Sequence, residues 1–300
     1  WRGCATDRAG VSIGGWGNVM GLDWKELVKP LADKIVYASQ AYVSVKSSIN
    51  DLGGSLIDFS RPAQGPADTQ LVEVARFLRP WTAPDLELIR VGGDRDGGYV
   101  MSADMSVRRA ISIGVGRDIS WDVSMALMGV QVHAFDHTVR KLPQRAPGVT
   151  FHKVGVGTAP GCRPLGVLVA ETAGDHDVIL KIDIEGNEWE ALAGEDLSQF
   201  TQILLELHDL ERLMENSRIR DVLQHLHASH LPVHVHANNY GSLFQLDALW
   251  FCSAVEVTFV RRDQINGWHP ADALREDLDR PCDPRTSDIS VRGLLNLDPE

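Results

Sequence analysis

The sequence predicts an α/β fold built on a mostly parallel sheet. Three observations predict it. From about residue 86, short apolar strand segments alternate with helical ones. The segment RAISIGVG (109–116) is a buried-strand run that ends in glycines. The last two strand segments, LPVHVHA (231–237) and AVEVTFVRR (254–262), have no convincing helix between them. A strand without a crossover helix must usually run antiparallel to its neighbour.

The elements follow in order. Residues 1–20 are Gly-rich and read as a loose arm. Leu22, Leu27, Leu31, Ile35, Ala38, Tyr42 and Val45 recur at helical spacing, so residues 22–50 are expected to form a packing helix. Residues 51–66 read as a linker, and 68–78 as a short helix through Leu71, Val74, Ala75 and Leu78. LELIRV (86–91) and GGYVM (97–101) suit a hairpin. After the strand at 109–116, residues 119–129 read as a helix stopped by Gly129. Strands are expected at 130–136, 149–156, 177–184 and 201–208, with a short helix at 188–194 and a charged amphipathic helix over 209–230. YGSLFQLDALWFC (240–252) is too interrupted to assign. The division is an N-terminal arm and helix (1–66), an α/β domain (67–265) and a C-terminal surface tail (266–300).

Composition narrows the function. Of 300 residues, 44% are hydrophobic and 23% charged, which is ordinary for a globular protein and excludes a disordered chain. The net charge of −12 argues against a general nucleic-acid or anionic-membrane binder. No apolar run approaches the roughly 20 residues of a membrane span. Cys4, Cys162, Cys252 and Cys282 are far apart and form no CxxC pair. The simplest reading is reduced thiols in a cytoplasmic protein.

In an α/β sheet, ligands bind at the carboxyl ends of the strands, so the residues there matter most. The first strand ends Ile113-Gly114-Val115-Gly116, where glycine lets the backbone approach a ligand. The second ends at Asp136, 22 residues after Gly114, a spacing that suits a ribose diol. A dinucleotide pattern needs a third glycine at position 119, where the chain has Ile119. Further on, Lys181, Asp183 and Glu185 share one face of a strand. Glu188 and Glu190 fit a helix-dipole role. Glu206 and His208 end the next strand, and His236 and Asn238 the one after. Carboxylate plus imidazole can work as acid and base, or Asp183, Glu206 and His208 can hold a divalent metal. His225, His227 and His230 read as surface residues, and Asp96-Gly97-Gly98-Tyr99 as a turn, though Gly92, Gly93, Gly97 and Gly98 crowded around Asp94, Arg95 and Asp96 also suit a loop folded over a ligand.

Taken together, VGGDRDGGYVM, ISIGVGRDISWDVSMALMGVQVHAFD, KIDIEGNEWEAL, LLELHDL, HVHANN and VEVTFVRR resemble the Rossmann-type S-adenosylmethionine methyltransferases. The resemblance is to the FkbM group and to the methyltransferase-like family with a DGGY motif, and covers residues from about 86 to 262. It implies a Rossmann-like doubly wound sheet with S-adenosyl-L-methionine held by Gly114, Val115, Gly116, Asp136, His137, Val156 and Asp183. It also places KIDIEG beside the transferred methyl group and implies a sugar or small natural-product hydroxyl as acceptor. The strand-end cluster makes Asp183, His208 and His236 the catalytic candidates, with His208 or His236 as the base. The rival readings are an NAD-type oxidoreductase, disfavoured by Ile119, and a non-catalytic binding module of the same fold.

Overall fold

The alternating apolar segments assemble into one seven-stranded sheet in a computed structural model that describes residues 59–298. The expected helix over 22–50 lies outside the described residues. In chain order the first elements are α1 (Pro66–Phe77), β1 (Trp81–Thr82), β2 (Leu88–Val91), β3 (Tyr99–Ser102), β4 (Arg109–Ile113) and α2 (Ser120–Leu127). Next come β5 (Gln131–Phe135), β6 (Val149–His152), β7 (Gly155–Val156), β8 (Cys162–Arg163), α3 (Leu165–Thr172), β9 (Val178–Ile182) and α4 (Glu188–Leu192). The remainder comprises β10 (Phe200–Leu207), α5 (Arg218–Ser229), β11 (His230–Ala237), β12 (Leu243–Leu246), β13 (Leu249–Cys252), β14 (Val255–Arg261) and β15 (His269–Pro270).

The sheet order is β11-β14-β10-β9-β4-β5-β6. β6, β5, β4, β9 and β10 pair in parallel, while β14 runs antiparallel to both β10 and β11. That is the antiparallel strand the missing crossover helix predicts. Chain order reverses between β4 and β9, which opens a crevice beyond their carboxyl ends.

Both faces of the sheet are covered, and the period-two pattern divides the core. Val178, Leu180 and Ile182 of β9 and Ile203, Leu205 and Leu207 of β10 join one buried apolar cluster with α1, α4 and α5. Ile179 and Leu204 point the other way, into a cluster with Val91, Tyr99, Met101, Trp121 and Met125. The β2–β3 hairpin and α2 therefore cap the second face. α5 buries Ile219, Val222, Leu223 and Leu226, one stripe of an otherwise polar helix.

Several elements differ from expectation for local reasons. The helix expected over 209–230 begins only at Arg218. Asp209 sits at φ 59, and a separate 3₁₀ turn spans Leu210–Arg212. The strand expected over 149–156 divides at Lys153, where Val154 N–H turns back to the His152 carbonyl. α3 escaped the periodicity reading, because LGVLVA is continuously apolar and shows no polar stripe. Residues 240–252 form the β12–β13 hairpin, with Asp247 at φ 50 in its turn. His230 is not a surface helix residue: it opens β11 and is fully buried. The C-terminal segment does more than wrap the surface. β15 pairs with β1, and Ile289, Val291, Leu294 and Leu297 enter the main core. Cys252 and Cys282 are free and buried, whereas Cys162 is disulfide-bonded, so reduced thiols hold only for the first two. Among the described residues no helix is long and apolar enough to cross a membrane.

Candidate active site

The site begins where β4 and β9 end side by side. Gly114 has φ +85, and a Cβ there would fall on the carbonyl oxygen of Asp183. Only glycine allows the two strand ends to approach this closely. Gly116 follows at φ +54. Asp136, at the end of β5, is 0% exposed and shapes this loop. Its Oδ2 accepts the N–H groups of Val115 and Gly116 at 3.1 and 2.9 Å. Its Oδ1 accepts the N–H and hydroxyl of Thr138, both at 2.6 Å. Burial alone would raise the Asp136 pKa, but the bonds from Thr138, Gly116 and Val115 outweigh it and hold the carboxyl below its usual range.

A cavity of about 310 Å³ opens over this loop, lined by Gly114, Val115, Gly116, Asp136, Trp121 and Asp183 among others. Trp121 Nε1 is buried and has no hydrogen-bond partner among the described residues. Beyond lies a larger cavity of about 1320 Å³, lined by Glu206, His208, Asn238 and Tyr240. Asp96, Asp183 and Glu185 belong to both linings, so they form the wall between the two spaces.

Asp183 is fixed from two sides. The Tyr99 hydroxyl donates to Asp183 Oδ2 at 3.1 Å, and Lys181 Nζ lies 3.7 Å from the same oxygen. Lys181 also sits over the Tyr99 ring, 4.8 Å from its centroid. Burial, with Asp183 and Glu206 nearby, pushes the Tyr99 hydroxyl well above its ordinary pKa, so it remains a donor. The turn after β9 holds Glu185 at φ 56 and Gly186 at φ 97. Glu188, 0% exposed, accepts the N–H groups of Ile184 and Gly186 at 2.8 and 3.0 Å and keeps the turn folded.

His208 lies between carboxylates. Its Nδ1 is 3.1 Å from Glu188 Oε1, and its Nε2 is 3.4 Å from Glu206 Oε1 and 3.7 Å from Glu185 Oε2. Burial disfavours its charge, but hydrogen bonds to Glu188 and Glu206 outweigh this and hold its pKa up at about 12. Glu206 is pushed up to about 8 by burial and by Asp183, with His208 opposing. His208 is thus an imidazolium at neutral pH, a cation between carboxylates rather than a free base. The Asn238 side-chain amide donates to Glu206.

The sequence-predicted residues divide clearly. Asp183, Glu206 and His208 come together, with ligand atoms within 4.8 Å of one another. His236 does not join them: it is enclosed, with Nδ1 2.7 Å from Glu256 Oε2 and Nε2 3.0 Å from Asp288 Oδ1. Gly114, Val115, Gly116, Asp136 and Asp183 share the first cavity. Val156 instead lines a neighbouring space of about 380 Å³ beside Asn187, Trp189 and Arg218. His137 sits against Gly155, where a Cβ would meet its Nδ1.

Sequence reasoning missed three contributors. Glu188 serves His208 and the β9 turn, a role hidden by its place at a helix start. Tyr99 reads as the end of a turn, and only the hairpin's docking brings it to Asp183. Glu256 is polar in an apolar strand, and that oddity was its available signal.

Residues 109–236 match the family model described as the methyltransferase FkbM domain. Over this segment the chain is similar to FkbM-related methyltransferase domains. The matched segment runs from the start of β4 into β11, and so contains the glycine loop, Asp136, Asp183, Glu206 and His208. Asp96 and Tyr99 of the hairpin region, and Glu256 of β14, lie outside the match yet border the candidate site. A comparison with curated proteins finds no significant match.

Proposed function

We propose that the protein is an S-adenosylmethionine-dependent O-methyltransferase acting on a hydroxyl of a sugar or small natural product. The observation that carries this reading is the shared wall: Asp96, Asp183 and Glu185 separate a glycine-loop cavity from a larger polar one. A methyl transfer needs a donor and an acceptor aligned across one short boundary with water excluded. The strand order and its reversal beside β4 support a Rossmann-like doubly wound fold.

The residues present fit the donor. Gly116 presents bare backbone with nothing within 4 Å of where a Cβ would sit, and Trp121 Nε1 offers an unused buried donor. When bound, S-adenosylmethionine supplies an electrophilic methyl group on a cationic sulfonium. The carboxylates of the wall suit a positive centre. Gly114, Val115, Gly116 and Asp136 would hold the nucleoside side, with Asp136 acting mainly by fixing the loop.

The acceptor side follows from the second cavity. Glu206, with a pKa near 8, can accept the proton of an acceptor hydroxyl. The His208 imidazolium, anchored by Glu188, offsets the negative charge that Glu206 carries before it takes that proton. Asp183, held by Tyr99 and Lys181, orients the group at the boundary. The grouping of Asp183, Glu206 and His208 also favours a second reading, in which a divalent ion bound there orients the acceptor oxygen. Release of S-adenosylhomocysteine in the presence of carbohydrate and small-molecule extracts tests the reading. The wild-type chain should release it and Asp183→Asn should release far less. Equal release from both would remove Asp183 from the mechanism, and loss of activity on chelation would favour the metal-bound variant.

A further inference from the structure

A second cluster lies behind the acceptor cavity. His236 at the end of β11, Glu256 in β14 and Cys282 in the C-terminal segment are all buried. They place a ring nitrogen, a carboxylate oxygen and a sulfur within 4.8 Å of one another. Cys282 Sγ is 3.7 Å from Glu256 Oε1, and His236 Nδ1 is 2.7 Å from Glu256 Oε2. We propose that His236, Glu256 and Cys282 form a zinc site that fastens the C-terminal segment to the sheet.

The donor set selects the ion. One thiolate, one imidazole and one carboxylate match zinc, which accepts sulfur, nitrogen and oxygen ligands. Magnesium and calcium would reject the sulfur and the imidazole. The outer partner is present too. His236 Nε2 faces Asp288 at 3.0 and 3.1 Å, leaving Nδ1 directed at the cluster. A carboxylate on the far nitrogen of a ligating histidine fixes the ring and its tautomer, a regular companion of zinc-bound imidazole. Zinc–nitrogen and zinc–oxygen bonds of about 2.0–2.2 Å require the His236–Glu256 contact at 2.7 Å to open by roughly half an ångström, a small rotation of the Glu256 side chain.

Charge supplies an independent argument. Glu256 also forms a group with Glu206 and Asp96, whose carboxylate oxygens lie within 4.8 Å of one another. Two of these three side chains are buried, and buried carboxylates crowded together need cations. On loading, the protons on Cys282 Sγ and His236 Nδ1 leave to solvent, while Nε2–H stays on Asp288. The ion would then tie Cys282, near the end of the described chain, to β11 and β14 next to the acceptor cavity.

Cobalt(II) reads the site directly. The full chain, produced in medium with cobalt, should carry one equivalent with a thiolate-to-cobalt absorption band in the near ultraviolet. Zinc should displace it, and chelation should lower the melting temperature. Cys282→Ser should abolish the band, Cys252→Ala should retain it, and Asp288→Asn should weaken binding about 10- to 100-fold. Circular dichroism establishes that each variant is folded. If Cys282→Ser does not fold, the wild-type band and the Asp288→Asn affinity decide the matter. A folded wild-type chain without a thiolate band, or a band that persists in folded Cys282→Ser, overturns the proposal and leaves a hydrogen-bonded staple.

Discussion

The Tyr99 hydroxyl donates to Asp183 Oδ2 at 3.1 Å, and this bond joins the β2–β3 hairpin to the end of β9. The hairpin is not part of the central sheet, yet it fixes the carboxylate at the wall between the two cavities. Tyr99→Phe removes the hydroxyl and keeps the ring over Lys181. Hydrogen bonds to charged groups contribute about 1.5–3 kcal/mol, so turnover should fall roughly 10- to 100-fold. S-adenosylmethionine affinity should change little. Steady-state kinetics beside calorimetry separate the two, and unchanged turnover would make the bond purely structural.

Two glycines two positions apart in one loop should respond differently to the same change. Gly114→Ala places its Cβ on the Asp183 carbonyl, and the backbone there is at φ +85. The variant should unfold or lose cofactor binding. Gly116→Ala meets nothing within 4 Å and pays only for its φ of +54. Its cost should be about 1–2 kcal/mol, read from denaturant unfolding. Equal losses at both positions would mean that the close approach of β4 and β9 is not what constrains the loop.

Asp136 holds the loop by accepting two backbone N–H groups from it. Asp136→Ala frees both, and S-adenosylmethionine affinity should weaken by about 10- to 100-fold, equivalent to about 1.5–3 kcal/mol. Asp136→Asn keeps one acceptor oxygen and should fall between. Calorimetry on the two variants checks the order.

His230 gives a pH dependence remote from the site. It is fully buried, with Nε2 2.7 Å from the Phe200 carbonyl and Nδ1 2.8 Å from Ser229 Oγ. Burial lowers its pKa to about 4, with the Phe200 carbonyl opposing and Arg261 assisting. Asp263 raises it and His225 lowers it further. The unfolded chain binds this proton near pH 6.5 and the folded chain only near 4. The stabilising contribution is therefore complete above pH 6.5 and is lost as pH falls through 4, at up to about 1.4 kcal/mol per pH unit. His230→Gln should flatten the acid limb of the unfolding midpoint against pH, and an unchanged limb would refute the assignment.

Much of the fold was legible because its signals are local. Period-two runs, Gly129 and the absence of a helix before β14 gave most strands and the antiparallel partner. α3 was not legible, since an all-apolar helix carries no stripe, and the break at Asp209 depends on a left-handed residue that sequence does not mark. The site was half legible. Strand-end residues such as Gly114, Asp136, Asp183 and His208 are placed by the sheet itself. Tyr99, Glu188 and Glu256 act through tertiary contacts, and His236 lies one layer behind because its ring pairs with Glu256 and the C-terminal Asp288. No periodicity reports such contacts.

Calorimetric titration of the full chain with S-adenosylmethionine, and separately with NAD, tests the central claim most directly. The account predicts saturable binding of one S-adenosylmethionine per chain, weakened in Asp136→Ala, and no comparable binding of NAD. Tighter binding of NAD, or no S-adenosylmethionine binding by a folded chain, would contradict it.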